Sequence, residues 1–106
     1  MKLTAVSTDN PVRNEVKMSF YYVYVLYSYK DQNWYTGYTS NLKSRIDDHK
    51  AGLSPSTKHR RPLRLIYFEG SLNKDDAMAR EKYLKSGMGK RYLKNRLKRS
   101  LNQINF

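Results

Sequence analysis

The sequence predicts an α+β fold, a small three-stranded antiparallel sheet flanked by helices in the order β-β-α-β-α-α. Three observations carry this. Residues 20–29 read FYYVYVLYSY, a run of β-branched and aromatic side chains that favours a strand. A second such run follows after only a few turn-forming residues. Beyond it the apolar residues recur every third or fourth position instead of every second, which is the helical period.

Taken in order, Asp31-Gln32-Asn33 supplies a turn and Trp34 to Tyr38 a second strand, so the two strands form a hairpin. Leu42, Ile46 and Leu53 then define the inward stripe of a first helix. Thr39, Ser40 or Asn41 can cap its start, and Gly52 ends it. Residues 54–62 (SPSTKHRRP) form a basic loop, and Leu63 to Phe68 a third strand followed by Gly70. Asn73 caps a second helix whose first turn carries Asp75 and Asp76, and whose inward stripe is Ala77, Leu84 and Met88. Gly87-Met88-Gly89 interrupts it. A basic terminal helix follows from Lys90 to Leu101, with Leu93, Leu97 and Leu101 on one side. The expected organisation is a polar leader over 1–18 (with Met18 as the native start), one domain over 19–101 and a short tail over 102–106.

Charge narrows the function. The 106 residues hold 21 Lys and Arg against 9 Asp and Glu, a net charge of +12, which attracts a polyanion. DNA is the expected partner, with RNA also open. Lys58, Arg60 and Arg61 in the loop, and Lys90, Arg91, Lys94 and Arg96 in the terminal helix, are the expected contacts to backbone phosphates. Trp34 and Tyr38 can stack on bases or pack in the core. The terminal helix has too few large apolar residues opposite its charges to suit a membrane, so no membrane partner is expected. With no cysteine and two histidines, disulfides, thiolate zinc sites and histidine clusters are excluded, and any metal is a hard cation held by oxygen. No apolar run is long enough to cross a bilayer, and the expected location is cytoplasmic.

Periodicity also places ionisable groups where apolar ones belong. His49 falls in the middle of the first helix's inward stripe, with Arg45 at its edge. Glu81 falls inside the stripe of the second. Each has an ordinary explanation: a satisfied histidine beside a snorkelling arginine, and a carboxylate paired with Arg45 or Arg80. The glutamate also has a functional one, a metal ligand or acid–base group facing a cleft. Their coincidence with a tyrosine-lined hairpin favours the second.

The ordered set of these residues resembles a GIY-YIG nuclease domain. Tyr22-Val23-Tyr24 stands for the first triplet and Tyr35-Thr36-Gly37 for the second. There follow Thr39-Ser40-Asn41-Leu42, Arg45 and His49, the Ser56-Thr57 loop, the strand with Leu65-Ile66-Tyr67, and a helix bearing Arg80-Glu81. The resemblance spans Phe20 to Leu97. Tyr22 departs from the family's Gly and Thr36 from its Ile, while both tyrosines and the final glycine, Gly37, are kept.

The resemblance implies a metal-dependent endonuclease hydrolysing DNA phosphodiesters, structure-directed or weakly sequence-specific, in DNA repair or a related process. The alternative is a non-catalytic or weakly catalytic nucleic-acid-binding module of the same fold. By the resemblance Tyr24 is the general base or positions the attacking water, and Tyr35 lies beside it. Arg45 holds the scissile phosphate, and His49 relays a proton or binds phosphate. Glu81 binds one Mg²⁺ or Mn²⁺ ion, and Asn95 is the nearest match to the asparagine that follows the glutamate in family members. Homodimerisation or a recruiting protein partner stays open.

Overall fold

The β-branched and aromatic run becomes the central strand, β1 (Tyr21–Ser28), of the computed structural model, which describes residues 19–103. β2 (Trp34–Thr39) and β3 (Leu63–Ser71) pair with it antiparallel, one on each side, giving the order β2-β1-β3. The hairpin turn closes where Gln32 adopts a positive φ of 59° and Asp31 Oδ1 accepts from Asn33 N at 2.9 Å. The register sets Tyr24 opposite Gly37 on β2 and Phe68 on β3. Between Val25 and Leu26 the β3 pairing skips Ile66, a bulge that adds twist to the strand.

Alternation along β1 sends side chains to two opposite faces, and helices pack on both. Val23 and Val25 pack with Ala77, Leu84, Leu93 and Leu97. Tyr24 and Leu26 pack with Ile46 and Leu63. The first face is covered by α2 (Lys74–Lys85) and α3 (Gly87–Arg96), the second by α1 (Leu42–Ala51). A single 3₁₀ turn (Lys58–Arg60) lies in the basic loop, and α4 (Lys98–Gln103) ends the described chain. The order is thus β-β-α-β-α-α-α, the expected α+β architecture with one more helix.

The caps are those the sequence offers. Asn41 accepts from Ser44 N, Asn73 from Asp75 and Asp76 N, and Gly52 ends α1 at φ 80°. Five expectations are corrected. Leu53 is 70% exposed, because the left-handed Gly52 turns the chain off the helix axis before the stripe can continue. Met88 is 67% exposed for a similar reason: the axis changes at Ser86, which ends α2 and whose hydroxyl accepts from Gly89 N to start α3. The Gly-Met-Gly segment is therefore the first turn of a helix. Gly89 is needed there because a Cβ would collide with the Tyr83 carbonyl of the preceding helix. The long terminal helix divides at Leu97, although Leu93 and Leu97 are buried as expected. The third strand also runs past Phe68 to Ser71. The leader and Met18 lie outside the described residues.

Candidate active site

Tyr24 is buried at the centre of β1. Its ring leans over Gly37, where any Cβ would strike the phenol hydroxyl and ring. The glycine that closes the second triplet is thereby explained by close approach and not by backbone freedom. From the other side α1 brings His49, whose Nε2 is 2.7 Å from the Tyr24 hydroxyl. The opposite ring atom, Nδ1, is 2.6 Å from Thr57 Oγ1. Both His49 and Thr57 are fully buried. A neutral imidazole has one donor and one acceptor nitrogen, so of the two hydroxyls one donates to the ring and the other accepts from it. Tyr35 completes an aromatic corner, its ring centroid 6.4 Å from that of Tyr24 and 5.3 Å from that of His49.

Burial dominates the titration of this pair. It pushes the Tyr24 phenol up to about 12, with the Arg45 guanidinium pulling the other way and Tyr35 and Glu81 adding to the rise. It holds the His49 imidazole down at about 4, helped by the charge of Arg45 and opposed by Asp48. At neutral pH the site therefore contains a neutral phenol hydrogen-bonded to a neutral imidazole.

Arg45 stands at the edge of this buried pair, part-exposed, as its place at the edge of the α1 stripe predicts. Its Nη2 donates to Ser54 Oγ at 3.2 Å, and its Nη1 is 4.0 Å from Asp48 Oδ2. Ser54 is buried and also within 3.2 Å of Ser56 Oγ. Ser54 and Thr57 thus support Arg45 and His49 from the basic loop. Sequence reasoning gave neither of them such a role. The signals were the place of the Ser56-Thr57 loop in the family resemblance and a Ser-x-Ser-Thr segment after a helix-ending glycine, which by itself reads equally as a solvated turn.

Glu81 projects from α2, the helix on the other face of the sheet, with its side chain 22% exposed. It is close enough to Tyr24 to contribute to raising its phenol, the smallest of the influences there. Its ion-pair partner is Lys85 at 3.1 Å, one turn on, and not Arg45 or Arg80. Arg80 instead donates from Nε to both oxygens of Glu69, at 3.1 and 2.9 Å, and lies over the Tyr83 and Tyr92 rings. Among the described residues no three carboxylates or histidines converge as a metal cage. A hard cation such as Mg²⁺ commonly takes one or two carboxylates and completes its shell with water and phosphate oxygens, so the lone Glu81 carboxylate fits such an ion. Asn95 is exposed on α3 and, among the described residues, is hydrogen-bonded to none of these groups.

The cations divide by surroundings. Lys58 and Arg61 line a cleft of about 510 Å³ together with Lys30, Lys50 and His59, with no acidic side chain in its wall. Arg60 is committed elsewhere: its Nε is 2.6 Å from Asp31 Oδ2, which holds the Asp31 carboxyl down at about 2 and ties the loop to the hairpin turn. Lys90 and Lys85 border a smaller depression with Trp34, Tyr35 and Thr36. Arg91, Lys94 and Arg96 are exposed on α3. Trp34 and Tyr38 pack against the Val23 and Val25 core, the structural of the two readings open to them. No helix among the described residues is long and apolar enough to cross a membrane.

Residues 20–98 match the sequence profile described as the GIY-YIG catalytic domain. The chain is similar to several bacterial UPF0213 proteins. One from Clostridium perfringens is 46% identical over 65 residues, which is 60% of this chain and 69% of that protein. One from Pediococcus acidilactici is 42% identical over 81 residues, 71% of this chain and 82% of its relative. The solution NMR structure of the UPF0213 protein BH0048 from Bacillus halodurans is 38% identical, covers 70% of this chain and 81% of that one, and superposes with a TM-score of 0.45.

Proposed function

Since the chain belongs to the GIY-YIG catalytic-domain family, a nuclease family, we propose that it is a divalent-metal-dependent endonuclease that hydrolyses phosphodiester bonds in DNA. The observation that carries this reading is the buried hydrogen-bonded row Thr57–His49–Tyr24, ending beside an arginine that retains access to solvent. A row built only for packing would not need three polar side chains in line, and burying them unpaired would be costly.

Arg45 holds the scissile phosphate. Its guanidinium matches two phosphate oxygens as a fork, and its present contact with Asp48 is long and half-exposed, hence cheap to exchange. Tyr24 orients the attacking water. Ionising a phenol of pKa about 12 in advance, at pH 7, costs about 7 kcal/mol. Tyr24 therefore keeps its proton in the resting site and gives it to His49 Nε2 as it receives one from the water. Thr57 makes this direction available by accepting from Nδ1–H, which leaves the Nε2 lone pair toward the phenol. Glu81 is the residue that would hold Mg²⁺ or Mn²⁺, and the ion, when bound, would neutralise charge on the phosphate and the leaving oxygen. The exposed cations supply salt-dependent affinity without sequence reading. A cytoplasmic location and a role in DNA repair are consistent with such an enzyme.

The test is nicking of supercoiled DNA with Mg²⁺ or Mn²⁺, comparing the protein with Glu81→Ala and Tyr24→Phe. Both variants should lose cleavage while retaining DNA binding. Cleavage that survives chelation and both substitutions would overturn the assignment.

A further inference from the structure

The sheet face that bears Tyr24 is covered by α1 only at one end. Ile46 of that helix packs with Tyr24, Leu26 and Leu63. Toward the start of β1 the same face carries Phe20, Tyr22 and Phe68, and none of these three belongs to either core cluster. Their rings adjoin one another. Tyr22 is 6.3 Å from Phe20 and 6.3 Å from Phe68, centroid to centroid. Phe68 is 50% exposed and Phe20 and Tyr22 are half-buried, an apolar surface that folding leaves partly open. Gly70, opposite Tyr22, keeps the surface low: a Cβ there would press within 3.3 Å of both the Phe20 and Tyr22 rings.

Register ties these rings to the chemistry. Tyr24 pairs with Phe68 on one side and with Gly37 on the other, so Phe68 stands on the strand next to that of Tyr24, about 4.8 Å away backbone to backbone, while the Tyr24 hydroxyl leans the other way over Gly37. Exposed aromatics side by side on adjacent antiparallel strands are the means by which sheet surfaces stack unpaired bases, each base offering a π-face whatever its identity. In an intact duplex those faces are already stacked inside the helix and cannot reach a flat shelf. The chain's net charge of +12 favours a polyanion as the partner and opposes a second copy of the chain.

We infer that Phe20, Tyr22 and Phe68 form a stacking shelf for unpaired bases next to the cleavage site, making single-stranded or flapped nucleic acid the favoured substrate over intact duplex. The inference rests on the nuclease reading for its link to cleavage, but the binding it asserts is measurable without cleavage.

The experiment uses the full chain with Phe68→Leu and Phe68→Trp, and labelled oligonucleotides of one sequence, single-stranded and duplex, followed by fluorescence anisotropy in chelator. Phe68→Leu should weaken single-strand binding by roughly 5- to 100-fold, the span of a lost stacking contact. It should change duplex binding less than about twofold, because phosphate contacts remain. Phe68→Trp should restore single-strand binding, which a merely structural role would not predict. With Mg²⁺, a flapped substrate should be cut faster than a blunt duplex, and the advantage should fall in the leucine variant. Unchanged single-strand affinity in Phe68→Leu, an equal loss on both substrates, or a change in sedimentation without a change in affinity would overturn the shelf. If the parent protein cuts nothing while single-strand binding follows the ring at position 68, the nuclease reading fails and the shelf stands. If it cuts DNA and binds without regard to position 68, the shelf alone fails.

Discussion

Acid should weaken this fold through one residue, in a window that can be stated in advance. His49 is completely buried, and its imidazole titrates at about 4 in the folded protein against 6.5 as a free side chain. The sign follows from proton counting. Between these two values the unfolded chain binds a proton at this residue that the folded chain does not, so stability falls as pH falls. The contribution is complete above about pH 6.5 and is lost progressively toward pH 4. At about 1.4 kcal/mol per pH unit the full shift is worth roughly 3 kcal/mol, with some 2 kcal/mol of it lost between pH 7 and pH 4.5. Against a total stability of ~5–15 kcal/mol for a domain this size, that is easily resolved. Asp31 does not confuse the measurement, because its stabilising pair with Arg60 is lost only below the ordinary carboxylate value of 3.8, toward about 2. The assay is urea denaturation followed by the fluorescence of Trp34, the single tryptophan, at half-unit steps from pH 7.5 to 4.5. His49→Gln is measured alongside. The parent should lose stability across the window, while the glutamine variant, less stable at pH 7, should show a flatter profile. Parallel profiles would refute the claim that burial of His49 controls the acid limb.

The alkaline limb should mirror this through Tyr24: its phenol is raised from 10 to about 12, so stability should decline as pH rises across that interval, and Tyr24→Phe should reduce the decline, read from unfolding midpoints, leaving the part due to Tyr67, whose phenol burial and Glu69 also raise. Gly37→Ala should destabilise by about 2–4 kcal/mol in urea titration, through overpacking against the Tyr24 ring together with damage to its bond with His49. Arg45→Lys should leave stability within about 1 kcal/mol but lower cleavage at least ~100-fold in single-turnover assays, because a point charge cannot reproduce the phosphate fork.

Much of the fold was legible because its signals are local. The hairpin follows from a β-branched aromatic run broken by Asp31-Gln32-Asn33, and the helix starts from Asn41 and Asn73, whose side chains accept the first free backbone N–H groups. The burial of His49 was legible too, since periodicity alone puts it at the centre of the α1 stripe. Leu53 and Met88 misled because a stripe holds only while the helix axis continues, and the axis ends at Gly52 and again at Ser86.

Chain chemistry by itself placed a histidine and an arginine on the inward side of one helix and a glutamate on that of another, beside a tyrosine-bearing hairpin, and set the net charge at +12. What it left undetermined is which partner each group takes. Periodicity reports the inward side of a helix but not the side of the sheet on which that helix lands, and α1 and α2 land on opposite sides. Only the packed molecule gives His49 both Tyr24 and Thr57, Arg45 its Ser54, Arg80 its Glu69 and Glu81 its Lys85. It alone leaves Phe68 uncovered beside Tyr24. These are contacts between residues distant in sequence or choices among equivalent neighbours, and they are set by strand register and layer order, which no single segment encodes.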